Sequence, residues 1–234
     1  MALLTLHIAF MLFMQFNANA ADNIEPHVFA KNDLLGKFEA SGHRDFTRVP
    51  GRYSSHSNHY LRKEVVEALV DMCKDAAKDG VKLSVVSAYR SYYRQKTIWN
   101  NKYNRYTGEP AERIERILEY SSMPGTSRHH WGTDFDLNSV NPEFFEDGEG
   151  KLIYEWLKEH AHKYGFFQPY QPFNDWRDAG YYEEKWHWSY RPTAEKIRIA
   201  FQYTIDYDDI TGFMGSSLAP DFNVIERYVK CIER

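Results

Sequence analysis

The sequence predicts an α+β fold, with a small antiparallel sheet flanked by helices in a single domain. Several segments carry apolar residues three and four apart, the signature of amphipathic helices. Between them lie a few short β-rich runs, not in the βαβ order of a parallel sheet. The 234 residues, 43% hydrophobic and 26% charged, suit one domain with a sizeable core.

Residues 3–16 are almost wholly apolar but too short to span a bilayer comfortably. Ala18-Asn19-Ala20 follows as a small-x-small site, so residues 1–20 read as a secretory signal peptide cut before Ala21. No Lys or Arg precedes the apolar run, and an uncleaved anchor is the alternative. The expected location is exported, periplasmic or extracellular, with no stable membrane span after cleavage. Residues 21–59 are rich in Gly, Ser, His and Asn and look like an arm lying on the domain. The core is expected over residues 60–203, and a C-terminal extension over residues 204–234.

Within the core, residues 60–78 form the best helix. Val65, Val66, Leu69, Met72, Cys73 and Ala76 share one face, and Gly80 stops it. Residues 81–89 hold Leu83, Val85 and Val86 and read as a strand. Helices are expected over residues 91–103 and 111–120. Residues 121–138 break periodicity at Pro124-Gly125 and become a strand near 133–137. Residues 151–164 form an amphipathic helix ended by Gly165. An aromatic loop over 168–180 and a strand over 181–190 follow. Pro192 opens a helix through about Tyr203, and a terminal helix is expected over residues 221–233.

A net charge of −4 with no basic stripe argues against a nucleic-acid partner. Cys73 and Cys231 either pair as one disulfide in an exported protein or serve as small buried hydrophobes. Two distant cysteines cannot build a thiolate metal site, so any metal must use His and carboxylates. Oligomeric state leaves no mark on the sequence.

Two segments carry the chemistry: Ser127-Arg128-His129-His130-Trp131-Gly132-Thr133-Asp134-Phe135-Asp136 and Glu184-Lys185-Trp186-His187-Trp188. A zinc hydrolase needs three His or carboxylate ligands and a free carboxylate beside them as general base. His129 and Asp136 are seven apart, which a straight strand sends to opposite faces, and Gly132 can supply the bend. Glu184 and His187 need a kink for the same reason. Asp134 and Asp136 share a strand face, so spacing does not choose between them. Each segment alone is also compatible with surface histidines or a packed strand.

Ser127-x-His129, Gly132, Asp136 and Glu184-x-Trp186-His187 resemble the signature of the LAS metallopeptidases, and within these the VanY-type D-alanyl-D-alanine carboxypeptidases. Ser87-Ala88-Tyr89-Arg90-Ser91 with Arg94-Gln95 is similar to a third family motif. The resemblance implies that His129, Asp136 and His187 bind one zinc ion. It implies Glu184 as general base and Arg90 as stabiliser of the oxyanion, with Ser127 and Gln95 near the substrate. Two positions depart from the pattern: Asp134 stands where Ala is common, and Ala88 where Gly is. Asp134 is thus either a group behind the ligands or an alternative ligand. The implied activity is hydrolysis of peptidoglycan stem peptides as a D,D-carboxypeptidase. The alternatives are an L-alanyl-D-glutamate endopeptidase, a D,D-dipeptidase, or a zinc-containing binding domain without catalysis. His130 is expected at the rim of the site or behind its ligands.

Overall fold

The computed structural model describes residues 29–174 and 177–232. The expected signal peptide lies outside the described residues. Helices α1 (Lys31–Leu34), α2 (Lys63–Lys78), α3 (Tyr92–Arg105), α4 (Pro110–Leu118), α5 (Gly148–His160) and α6 (Arg191–Thr204) surround two sheets. Strands β1 (Phe46–Arg48) and β2 (Tyr60–Arg62) pair with each other. Strands β3 (Val85–Ser87), β4 (Asp134–Leu137), β5 (Phe166–Phe167) and β6 (His187–Tyr190) form a second sheet in the order β3-β4-β6-β5. Every pairing in both sheets is antiparallel, which is the expected α+β architecture.

The helices form where the apolar period demands them. α2 buries Val65, Val66, Leu69, Met72, Cys73 and Ala76 and ends in a Schellman arrangement. Gly80, at φ +78°, donates to Ala77 O while Val81 donates to Ala76 O. The Ser91 side chain caps α3 by accepting from Arg94 N, which fixes how the chain leaves Arg90. Pro110 opens α4 beside a Glu109/Glu112 capping box.

Strand β4 divides the molecule. Phe135 and Leu137 point into an apolar cluster with Leu69 and Met72 of α2 and Ile153 and Leu157 of α5. Asp134 and Asp136 alternate with them, and therefore face the other way. A second cluster packs Trp99 of α3, Ile114 and Ile117 of α4, Phe201 of α6 and Val229 near the C-terminus.

Residues 60–62, expected within the first helix, form β2 instead, and three further stretches differ from expectation. The strand over residues 181–190 shrinks to β6, because a turn closed by His187 N donating to Glu184 O interrupts it. The terminal helix begins only after Asn223, at φ +49°, and becomes a π-helical turn over Glu226–Lys230. Within the N-terminal segment, Leu34 and Leu35 are fully buried and β1 joins a sheet, neither of which its polar composition signalled. Cys73 and Cys231 are both free thiols. No helix among the described residues is long and apolar enough to cross a membrane.

Gly132 has φ +70°, and a Cβ there would overlap the Phe46 ring. That ring is boxed by Phe38, His43 and Tyr89, with centroids 5.2, 5.0 and 5.2 Å away. Gly132→Ala is expected to lower the unfolding free energy by roughly 3 kcal/mol, from left-handed strain plus displacement of the ring. Denaturant titration checks this. In a Phe46→Ala background the penalty should fall to about 1–2 kcal/mol, the strain alone.

Candidate metal centre

Register brings the first two groups together. Asp136 of β4 sits opposite His187 of β6 on one side and Ser87 of β3 on the other. His129 arrives from outside the sheet, on a 3-10 turn over Arg128–Trp131 that Gly132 ends in the left-handed region. That turn resolves the odd spacing of seven. The result is a buried His129–Asp136–His187 group whose ligand-type atoms all lie within 4.8 Å of one another. His129 Nε2 is 3.4 Å from Asp136 Oδ2, and His187 Nδ1 is 3.2 Å from Asp136 Oδ1.

The second nitrogen of each imidazole is already engaged. His129 Nδ1 donates to Ala88 O at 2.9 Å, leaving Nε2 free to face Asp136. His187 Nε2 donates to Asp134 Oδ1 at 3.0 Å, leaving Nδ1 facing inward. A carbonyl or carboxylate holding the far side of a metal-binding histidine is the arrangement that sets tautomer and ring orientation. Asp134, undecided from sequence, therefore stands behind His187 rather than in the cluster. Its carboxylate is clamped by Arg128 Nε at 2.9 Å, Thr133 Oγ1 at 2.5 Å and Ser189 Oγ at 3.0 Å. Arg128 also donates to Ser189 Oγ at 2.7 Å and lies over the Trp131 ring.

The electrostatics favour a cation at the centre. Burial lowers the His187 pKa, but the Asp134 and Asp136 carboxylates outweigh it and raise it to about 9. Burial and then Arg90 pull the His129 pKa down. Burial alone would raise Asp136, but His129 and His187 hold it well below the usual carboxylate range. Asp136 Oδ1 and His187 Nδ1 are buried without a hydrogen-bond partner. Two imidazole nitrogens and one carboxylate, with His187 Nδ1 and Asp136 Oδ1 among them lacking partners, fit a divalent ion.

Glu184 and Arg90 flank the cluster. The turn that shortens β6 carries the Glu184 carboxylate to 3.4 Å from His187 Nδ1. Burial pushes Glu184 up to about 8; Asp136 adds to this, while His187 and Arg90 oppose it. Arg90 Nη2 donates to Ser87 Oγ and stands 3.9 Å from Asp136 Oδ2. Gln95 is fully buried behind Arg90, accepting from its Nη1 at 2.8 Å and donating to Ser122 O. Ser127, His129, Asp136, Glu184, His187 and Arg90 all line one cavity of about 450 Å³.

Some of this was beyond sequence reasoning. His130 is fully buried, donating from Nδ1 to Arg90 O and accepting from Gly125 N at Nε2. Burial draws its pKa down to about 3, so it acts as a neutral bracket between two loops. Arg128 sits inside the motif without any local sign of its partner. Tyr170, from the aromatic loop, packs its ring against His187, tilted, with centroids 4.6 Å apart, and helps wall the cavity.

A small antiparallel sheet presents a buried His–Asp–His cluster that could hold a metal ion, beside a carboxylate and an arginine. The chain belongs to the VanY D-alanyl-D-alanine carboxypeptidase family, whose model matches residues 58–193. YodJ of Bacillus subtilis is 36% identical over 137 residues, covering 56% of this chain and 46% of the relative. A D-alanyl-D-alanine carboxypeptidase of Enterococcus faecalis is 30% identical over 153 residues, covering 61% and 54%. The chain thus spans about half the length of these curated relatives. The solved structure of VanYB in complex with D-alanine-D-alanine superposes with a TM-score of 0.51 at 25% identity, covering 67% of this chain and 88% of that one.

The Arg128–Asp134 pair is wholly buried. Arg128→Met strands a buried carboxylate and should destabilise the protein by about 3–5 kcal/mol. Arg44→Met, at a side chain 90% exposed, should shift stability by less than about 0.5 kcal/mol. Comparing their unfolding midpoints decides whether the pair matters as described.

Proposed function

We propose that this chain is an exported, zinc-dependent peptidase that hydrolyses peptidoglycan stem peptides as a D-alanyl-D-alanine carboxypeptidase. The observation that carries this is the pair of imidazoles, each held from behind and each aiming its other nitrogen at Asp136. His129 Nε2, Asp136 and His187 Nδ1 would hold the ion. The donor set of two nitrogens and one carboxylate is that of catalytic zinc sites, which leave a position open. Family membership and the bound dipeptide named for VanYB support the substrate class. Export is read from the apolar segment and small-x-small site before Ala21.

The ion supplies Lewis acidity, which makes water nucleophilic near neutral pH and polarises the scissile carbonyl. The protein's residues do the rest. The Glu184 carboxylate faces the cavity within reach of the cluster and takes the proton from attacking water, then returns it to the leaving amine. Arg90 is held rigid by Ser87 and Gln95, so its guanidinium needs no reorganisation to stabilise the developing oxyanion. Ser127, on the cavity wall, is placed to bind substrate, whereas Gln95 acts through Arg90. Tyr170 and Trp186 narrow the cleft and restrict water around the charges.

Glu184→Gln should retain stoichiometric zinc while hydrolysis falls about 10²–10⁴-fold. Mass spectrometry of digested muropeptides, with metal content measured in parallel, reads both quantities and identifies the fragment released. Undiminished hydrolysis would remove Glu184 from the mechanism. Asp134→Asn should leave His187 without its anchoring carboxylate and weaken zinc affinity about 10–100-fold, measured by competition with a chelating dye.

A further inference from the structure

Helix α3 lays one charged side chain against the cavity that the chemistry above does not use. Lys102, one turn after Ile98, lines the same wall, and the charges of Arg90 and Glu184 act on it. It is half-buried, and among the described residues its ammonium makes no hydrogen bond and no ion pair. Burial lowers its pKa, as expected of an ammonium withdrawn from water without compensation. Such a group gains most when an anion enters the same cavity.

The arginine of the same cleft is held in place and is assigned above to the oxyanion. Arg90 spends Nη1 on Gln95 Oε1 at 2.8 Å and Nη2 on Ser87 Oγ at 3.1 Å, and leans toward Asp136. Lys102 carries a compact charge with three donors on a flexible four-carbon stem, so it can adjust to an incoming carboxylate. A peptide cleaved at its last bond brings one such group wherever the reaction occurs. Its terminal carboxylate lies one residue beyond the scissile bond, a Cα spacing of about 3.8 Å. That is close enough for both to fit one cavity of about 450 Å³.

We infer that Lys102 binds the free α-carboxylate of the substrate's C-terminal residue and so restricts this cleft to chain ends. The inference rests on the peptidase reading and adds the group that makes it an exopeptidase rather than an endopeptidase. An endopeptidase substrate has no carboxylate at that position, and Lys102 would face a neutral amide there.

The test uses the full zinc-loaded chain and a blocked lysyl-D-alanyl-D-alanine peptide whose only carboxylate is its C-terminus, beside the same peptide as its C-terminal carboxamide. The wild type should prefer the acid about 10–100-fold in kcat/KM, the worth of one charged hydrogen bond, with most of the difference in KM. Lys102→Met should lose that preference on the acid, leave the carboxamide rate unchanged, and keep the wild-type unfolding midpoint. Lys102→Arg should restore part of the preference. Equal losses on both peptides would show a merely structural role and overturn the inference, as would no loss on the acid. A third peptide, the carboxamide with a glutamyl residue added upstream, separates sources of the carboxylate. If Lys102 dependence returns there, the residue reads a side-chain acid and the end-selecting role falls. Failure of the peptidase reading looks different: the wild type cleaves neither peptide. Calorimetric binding of D-alanyl-D-alanine and its carboxamide then decides, with acid binding weakened about tenfold or more by Lys102→Met in support and equal affinities against.

Discussion

The cross-strand pair Asp136–His187 is the constraint around which the rest is arranged. Both residues lie in the two middle strands of a four-stranded sheet, where β4 touches β3 and β6 at once. Side chains alternate along β4, so placing Phe135 and Leu137 in the apolar cluster automatically turns Asp134 and Asp136 to the opposite face, where Asp136 lines the cavity. A slip of one residue would exchange the two faces and bury the carboxylates among α2 and α5. The energy that holds the register is therefore hydrophobic, while its consequence is electrostatic. The same apolar packing that makes the domain stable also aims its acidic residues.

Burying those acids raises a second problem, and the sequence solves it in layers. Asp134 is neutralised from behind by Arg128 and satisfied by Thr133 and Ser189. Thus fixed, it orients His187, which in turn meets Asp136. His129 meets Asp136 from the other side, oriented by a backbone carbonyl. His130 links the loop at Gly125 to the carbonyl of Arg90, so the arginine and the ligand turn are tied together. Removing any layer would loosen the next. This explains why so many polar groups here are fully buried even though each alone is unfavourable.

How much of this could be read from the sequence follows from range. α2, α3, α4 and α6 are local objects, and local pattern with the Gly80 terminator and the Pro192 start sufficed, while the Ser91 cap and the Pro110 start emerged only in the structure. β1 and β2 escaped because three-residue strands leave too little alternation to detect. β6 was read too long because Tyr181 to Trp186 is as aromatic as a strand, yet its backbone bonds go to Tyr170 and Glu119 in loops. Within the site, residue types and order pointed to the cluster, but Asp134 and Asp136 share one strand face and only three-dimensional partners tell them apart. Lys102 had no local sign at all. It is one of two lysines on α3, and its significance lies in a cavity assembled from distant segments.

The remaining tension is between stability and readiness. Nearly all buried polar groups in a folded protein find partners, because an unpaired one is unfavourable. Here Asp136 Oδ1 and His187 Nδ1 go without, in the most central part of the sheet, while Lys102 waits half-buried at the edge of the same cavity. A chain optimised only for folding would fill these positions with apolar side chains of similar volume. That it keeps two inward-facing ligand atoms without hydrogen-bond partners, beside a half-buried lysine on the same cavity, shows one place where stability is given up. The two orphaned atoms ask for a positive charge between them, and the lysine asks for a negative one beside them. On the function proposed above, a single peptide end held at a metal ion would meet both demands at once, and the groups that cost the fold stability would be those that select what enters the cleft.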